Sequence, residues 1–169
     1  SGANTLNSIT AVYNSINGVD IDNTAVIVLK GVTISGVNVF SENTGYGIRI
    51  ISSGAITLSN MTANLNQGLY GAYLDNTLSS TSTPKSVTLS GTNVISNNRD
   101  QGLQILTYGA ITLNNVSATG NGFGAFSGGG ASLINNGATT PANVTINGTN
   151  NFSGNYGTGL YINTKGHIK

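Results

Sequence analysis

Few side chains in this sequence could carry out acid–base chemistry. The carboxylates number five, namely Asp20, Asp22, Glu42, Asp75 and Asp100. Asp20 and Asp22 would share one face of a strand, and glycosidic hydrolysis uses two carboxyls about 5 to 9.5 Å apart. The strand pattern ends at Asp22, and Asp20 is expected to pair with Arg49 on the next repeat. We therefore favour a solvated surface pair over a catalytic pair, and expect no catalytic residue and no enzyme activity.

Metal and cofactor sites are not indicated either. His167 is the only histidine and takes the place that Ala55 and Ala110 occupy in a repeated phrase, so neither a histidine triad nor a histidine metal cluster can form. The sequence has no cysteine, which excludes thiolate ligands. Asp75 and Asp100 could contribute to a calcium site, but no calcium-loop motif accompanies them. We predict no cofactor and no resident metal, with calcium as the open alternative.

Two sets of outward-facing side chains could bind a ligand. A threonine recurs in one strand phrase, at Thr33, Thr57, Thr88, Thr112 and Thr145. A flat threonine array resembles an ice-binding surface, although threonine also suits the exposed face of any parallel sheet. Four tyrosines, Tyr46, Tyr73, Tyr156 and Tyr161, could stack on sugar rings, and Tyr73 and Tyr161 share another outward column. Glycans are therefore a candidate partner.

These side chains are positioned by an internal repeat. The phrase at 32–36 (VTISG) returns at 87–91 (VTLSG) and at 144–148 (VTING), about 55 residues apart. A fixed period is the sequence signature of stacked-repeat architectures, in which each unit buries its apolar face against its neighbours. We place the unit boundaries near 1–31, 32–86, 87–143 and 144–169, within a single domain that spans 1–169.

Each full unit contains two coils, aligned on an asparagine that precedes a glycine and an apolar-x-apolar triplet. The six asparagines are Asn14, Asn43, Asn66, Asn98, Asn121 and Asn155. Period-2 alternation in three short stretches per coil indicates strands. Strands in register over coils of about 22 residues predict an all-β fold, a right-handed parallel β-helix of about six coils with three strands per coil. We expect the asparagine amides to form a ladder along the stack, and each following glycine to need a positive φ.

Composition excludes two kinds of partner. Six Lys and Arg residues are scattered along the chain and the net charge is +1, so there is no basic stripe for nucleic acid. No apolar run approaches the roughly 18 residues that a membrane span needs. We expect neither nucleic-acid binding nor membrane insertion.

Two phrases carry a resemblance to a known family, 38–48 (NVFSENTGYGI) and 151–160 (NFSGNYGTGL). They resemble the right-handed parallel β-helix repeats of the pectate-lyase-like superfamily, in the Asn/Gly/Thr-rich, charge-poor versions found in large bacterial surface and secreted proteins. The resemblance implies the fold but leaves the function open, because that superfamily includes polysaccharide lyases, glycosidases, adhesins and passive stalks.

The first and last residues share one phase of the repeat, so we expect a segment of a longer array or protomers that associate end to end. The expected function is a non-enzymatic extracellular structural element of a bacterial surface, such as a stalk, sheath, fibre or filament building block. The alternative is an adhesin or glycan-binding module. An ice-binding surface and a polysaccharide-active enzyme are less favoured.

Overall fold

The structure is a computed structural model that describes residues 4–24, 30–124 and 128–169. The first predicted unit, 1–31, is thus described at 4–24 and 30–31, and the third, 87–143, is described except for 125–127. Within the described ranges the chain forms sixteen β-strands and no helix. No helix there is long and apolar enough to cross a membrane. The predicted all-β class is confirmed.

All paired strands are parallel and belong to three sheets. Sheet 1 has six strands: β1 (Asn4–Asn7), β3 (Val32–Ser35), β6 (Ile56–Ser59), β9 (Val87–Ser90), β12 (Ile111–Asn114) and β15 (Val144–Asn147). Sheet 2 has four short strands: β4 (Asn38–Val39), β7 (Met61–Thr62), β10 (Asn93–Val94) and β13 (Val116–Ser117). Sheet 3 has six strands: β2 (Val19–Asn23), β5 (Ile48–Ser52), β8 (Tyr70–Asp75), β11 (Gln101–Leu106), β14 (Ala131–Ile134) and β16 (Leu160–Asn163).

Along the chain, each strand of sheet 1 is followed by one strand of sheet 3, and from β3 to β14 a strand of sheet 2 lies between them. We call one such passage a layer and number the layers 1 to 6 from β1 to β15. In layers 1 and 6 the place of the sheet 2 strand is taken by single bridges from Thr10 to Val39 and from Asn151 to Ser117. Stacked parallel sheets of this kind are compatible with a parallel β-helix.

The apolar core lies between the three sheets. Alternating residues of β3, β6, β9 and β12 are buried, as the period-2 pattern predicts, since successive side chains of a strand point to opposite faces. Ile48, Leu74 and Leu103 of sheet 3 face them and are fully buried. Burial decreases toward both ends of the stack, where Leu6 is 38% exposed. The core thus depends on contact between neighbouring layers.

Candidate functional site

The six predicted asparagines are joined in series through the molecule. Each Nδ2 donates to the Oδ1 of the asparagine in the next layer, over 2.8 to 3.0 Å from Asn14 to Asn155. The same Oδ1 accepts the backbone N–H of the asparagine below it, for example Asn66 N to Asn98 Oδ1 at 3.0 Å. We call this series the asparagine ladder.

The inner asparagines also bind the backbone of the layer below. Asn66 Nδ2 donates to the carbonyl of Phe40 at 3.0 Å, and Asn98 Nδ2 donates to that of Ala63 at 2.9 Å. The four inner asparagines, Asn43, Asn66, Asn98 and Asn121, are completely buried. Buried amides are stable only when their hydrogen bonds are made, so the ladder requires every layer to stay in register.

The glycine after each ladder asparagine is required for space. A Cβ on Gly71 would lie 2.5 Å from Asn98 Nδ2, and one on Gly102 would lie 2.6 Å from Asn121 Nδ2. The prediction that the six glycines after the ladder asparagines need a positive φ is wrong, because none of them has one. The left-handed residue instead precedes each ladder asparagine, at Tyr13, Glu42, Leu65, Asn97, Gly120 and Gly154, with φ between 55° and 68°.

A second column of polar residues, not predicted from the sequence, follows the strands of sheet 3. From layer 1 to layer 6 it reads Asn23, Ser52, Asn76, Thr107, Asn135 and Thr164. The asparagines donate to carbonyls at the far end of the long loops, as Asn76 Nδ2 does to the Lys85 oxygen at 2.9 Å. The hydroxyls close tight turns, as Thr107 Oγ1 does by accepting the N–H of Gly109 at 2.9 Å.

A third set of asparagines occurs only in the even layers. Oδ1 of Asn38 accepts the N–H of Ile9 at 3.0 Å, and Oδ1 of Asn93 accepts that of Met61 at 3.2 Å. Asn150 binds the N–H of Val116 in the same way at 2.9 Å. In the sequence, each of these two sets could have been found from a place in the repeat that holds an asparagine in every second layer and another residue in the layers between. This alternation also distinguishes odd from even layers.

The predicted threonines form one row on the outer face of sheet 1. Thr33, Thr57, Thr88, Thr112 and Thr145 are direct neighbours in register, and Thr5 extends the row. All five predicted members are partly exposed. In the next outward row, neighbouring side chains form hydrogen bonds with one another. Asn7 Nδ2, for example, donates to Ser35 Oγ at 2.8 Å. The geometry offers a regular hydroxyl surface, and ice binding remains a prediction.

Four of the five acids, all but Asp100, make a side-chain hydrogen bond or ion pair within the described residues. The predicted ion pair is confirmed, because Arg49 Nη1 lies 2.7 Å from Asp20 Oδ1. Hydrogen bonds from Thr24 lower the pKa of Asp22. A general acid needs a raised carboxyl pKa, so this environment does not suit acid catalysis at Asp22. Within the described ranges, no three His, Asp or Glu residues come together in a way that could hold a metal ion.

The two tyrosines of the predicted column are far apart. Tyr73 and Tyr161 share an outward column of sheet 3, but Gln104 and Ser132 lie between them. Tyr73 instead packs with Tyr46 and Tyr70, and Tyr70 was not among the predicted site residues. The ring centroids are 5.6 Å apart for Tyr46 and Tyr70, 6.4 Å for Tyr46 and Tyr73, and 5.1 Å for Tyr70 and Tyr73. We call these three residues the tyrosine cluster.

Fold and ladder together define a class, an all-β protein of stacked parallel sheets with a buried asparagine ladder. Comparisons of the sequence with protein-family models, with curated proteins and with solved structures found no match. The resemblance to the pectate-lyase-like superfamily therefore stays a prediction.

Proposed function

We propose that this chain is a non-enzymatic structural element, a right-handed parallel β-helix of about six coils that works outside the cell in a stalk, sheath, fibre or filament. The observation that carries the proposal is the asparagine ladder, which continues from Asn14 to Asn155 without interruption. It adds a line of buried hydrogen bonds to the strand pairing of the three sheets.

A ladder of this kind suits a load-bearing and protease-resistant rod. To open one inner layer, the chain must break strand pairing and also leave buried amides without partners, at about 1 to 3 kcal/mol for each such group. Proteases cleave segments that open locally, so this cost protects the strands. Six Lys and Arg residues leave few sites for proteases that cut after basic residues.

The ends of the ladder support association along the stack axis. Asn155 Oδ1 accepts hydrogen bonds from Asn121, while within the described residues no donor reaches Oδ1 of Asn14. The backbone N–H of Asn155 likewise has no acceptor there. An acceptor at one end and a donor at the other are complementary. We propose that these ends meet flanking repeats or another copy of the chain, and that neither nucleic acid nor a membrane interior is a partner.

Electron microscopy of the purified protein, together with limited digestion by a protease of broad specificity, tests the proposal. We expect elongated particles or filaments with a repeat near 29 Å, the rise of about six strand spacings, and slow cleavage of the strands. Asn66→Ala, which removes a buried ladder residue, should speed cleavage within the strands. Thr57→Val, which removes a partly exposed hydroxyl from the same layer, is the matched control and should not. Rapid cleavage of the unmodified strands, or only isolated short particles at high concentration, would contradict the proposal.

A further inference from the structure

The tyrosine cluster is a preformed aromatic surface on the outside of sheet 3. Tyr46 and Tyr73 are nearly parallel, with 21° between their ring planes, and Tyr70 is tilted by 61° and 47° to them. All three rings are partly buried and partly open to solvent. Rings fixed by mutual packing lose little entropy when a ligand binds, because their rotamers are already restricted.

A cavity of about 230 Å³ adjoins the cluster at Leu69, the residue before Tyr70. Its lining consists of Gln67, Gly68, Leu69, Arg99, Asp100 and Gly124. Asp100 is close enough for its charge to contribute to the raised pKa of Tyr70, for which burial is the larger cause. Tyr70 is paired in register with Gln101, the residue after Asp100, so the rings of the cluster lie beside the polar groups of the cavity. Ligand sites usually combine apolar surface with a few polar groups in this way.

The polar groups of this cavity retain unused hydrogen-bonding capacity. Arg99 Nη1 donates to the carbonyl of Gln67 at 3.4 Å, which leaves most of the five guanidinium N–H groups available. Within the described ranges, no hydrogen bond reaches the Asp100 carboxylate. The cavity thus presents a donor and an acceptor side by side, with opposite charges.

We propose that the tyrosine cluster and this cavity form a binding site for an uncharged oligosaccharide. One face of a pyranose ring carries C–H groups that pack on tyrosine rings, while its neighbouring hydroxyls both donate and accept hydrogen bonds. Asp100 would accept and Arg99 would donate to such a hydroxyl pair. An extended proline-rich peptide also packs on tyrosines, but its backbone offers mainly carbonyl acceptors and would leave Asp100 unpaired. This site goes beyond the structural function and does not depend on it.

The tyrosines allow a direct test. The chain has seven tyrosines and no tryptophan, so NMR spectra of protein with isotope-labelled tyrosine contain few signals to assign. The probes are β-1,4-linked hexasaccharides of glucose, mannose, xylose and N-acetylglucosamine, each titrated to about 10 mM. We expect at least one of them to shift the signals of Tyr46, Tyr70 and Tyr73 while leaving that of Tyr161 in place.

Variants separate binding from folding. Tyr70→Ala should weaken binding of the active hexasaccharide about tenfold, because one stacking ring is lost. Asp100→Asn changes a loop side chain and should weaken binding of the hexasaccharide several-fold. The NMR signals of the tyrosines outside the cluster should not move in this variant, which shows that the fold is intact. Tyr161→Ala is the matched control and should bind as the unmodified chain does. The proposal is overturned if no hexasaccharide shifts the cluster, if only a proline-rich peptide does, or if Tyr161→Ala weakens binding as much as Tyr70→Ala.

Discussion

Asn76 and Thr107, on adjacent layers, donate hydrogen bonds to one shared acceptor, the carbonyl oxygen of Lys85, at 2.9 and 2.8 Å. Two further pairs share a carbonyl in the same way. They are Asn23 and Ser52 on Lys30, and Asn135 and Thr164 on Ala142. Each carbonyl ends a long loop of an odd layer, and the hydroxyl closes the tight turn of the even layer that follows. This sharing explains why the sequence repeats every two layers and not every layer.

The shared carbonyl predicts that Asn76→Ala and Thr107→Val are coupled. Asn76→Ala should cost about 2 kcal/mol of unfolding free energy, and Thr107→Val about 1 to 2 kcal/mol, because backbone groups lose partners. Each single variant leaves Lys85 one donor, whereas the double variant leaves it none. We therefore expect the double variant to cost about 1 kcal/mol more than the sum. Denaturant unfolding of the four proteins measures this.

Thr112→Val is the matched control for that cycle, because its hydroxyl lies on the partly exposed outer face of sheet 1. Its effect should stay within about 0.5 kcal/mol. Strict additivity of Asn76→Ala and Thr107→Val would show that the carbonyl does not join the two layers.

Gly71→Ala should destabilise the chain although it adds a single methyl group. The new Cβ would lie 2.5 Å from Asn98 Nδ2 and 2.9 Å from the carbonyl oxygen of Gly102, so the ladder must shift. Overpacking of this kind costs about 1 to 3 kcal/mol.

Chemical denaturation of Gly71→Ala, Asn98→Ala and the double variant measures this cost. We expect the double variant to lose less than the sum, because removal of the amide makes room for the methyl group; a loss equal to the sum would argue against a steric cause.

The strand register could be predicted because two simple signals agree along the chain. Alternation determines which residues face inward, and the repeat determines which residues of successive layers meet. Asp20 and Arg49 were expected to be neighbours on this basis alone, and their ion pair confirms it. The reason why a glycine recurs after each ladder asparagine was harder to predict, because both a positive φ and a lack of space favour glycine. At Gly71 only the structure distinguishes the two.

The tyrosine cluster was only partly predictable for a different reason. Tyr73 has an outward place in the strand pattern, but its contact with Tyr46 and Tyr70 crosses from one layer to the next and depends on side-chain rotamers. The spacing from Asn66 to Gly71 is one residue longer than in most layers, which changes the position of Tyr70 relative to the repeat. The regular part of the repeat therefore does not predict the contacts of Tyr70.

Leu65→Gly should stabilise the protein. Leu65 has a φ of 59° and is 45% exposed, so it adopts a left-handed conformation while about half of its surface stays buried. That conformation costs a branched or long side chain about 1 to 2 kcal/mol, and glycine's extra freedom in the unfolded chain offsets about 0.4 to 1 kcal/mol of the gain. Loss of the half-buried leucine side chain offsets part of the remainder, so we expect a net gain of no more than about 0.5 kcal/mol in thermal or denaturant unfolding.

The reverse substitution at an equivalent place is the control for Leu65→Gly. Gly154 has a φ of 68°, and the nearest atom to a Cβ built there is 3.9 Å away, so Gly154→Ala introduces backbone strain without a clash. It should destabilise the chain by about 1 kcal/mol. If Leu65→Gly is also destabilising, the contacts of the leucine outweigh its backbone strain.

Tyr73 should make the stability of the protein fall at alkaline pH. Burial raises its pKa to about 12, helped by the charge of Asp75 and by the hydrogen bond that the phenol donates to that carboxylate at 3.1 Å. The unfolded chain releases this proton near pH 10, its ordinary value, so between about pH 10 and 12 the folded state holds a proton that the unfolded state has lost. The Tyr73 contribution is thus complete below about pH 10 and declines as the pH rises toward 12.

Tyrosinate absorbance and denaturant unfolding across this pH range test the assignment. Tyr73→Phe should remove the latest step of the absorbance titration and make the alkaline loss of stability shallower. Asp75→Asn, which removes the neighbouring charge but keeps the burial, should move that step to lower pH without abolishing it. If the absorbance step at the highest pH is unchanged in Tyr73→Phe, that step belongs to a different tyrosine, and the assignment of the raised pKa to Tyr73 is wrong.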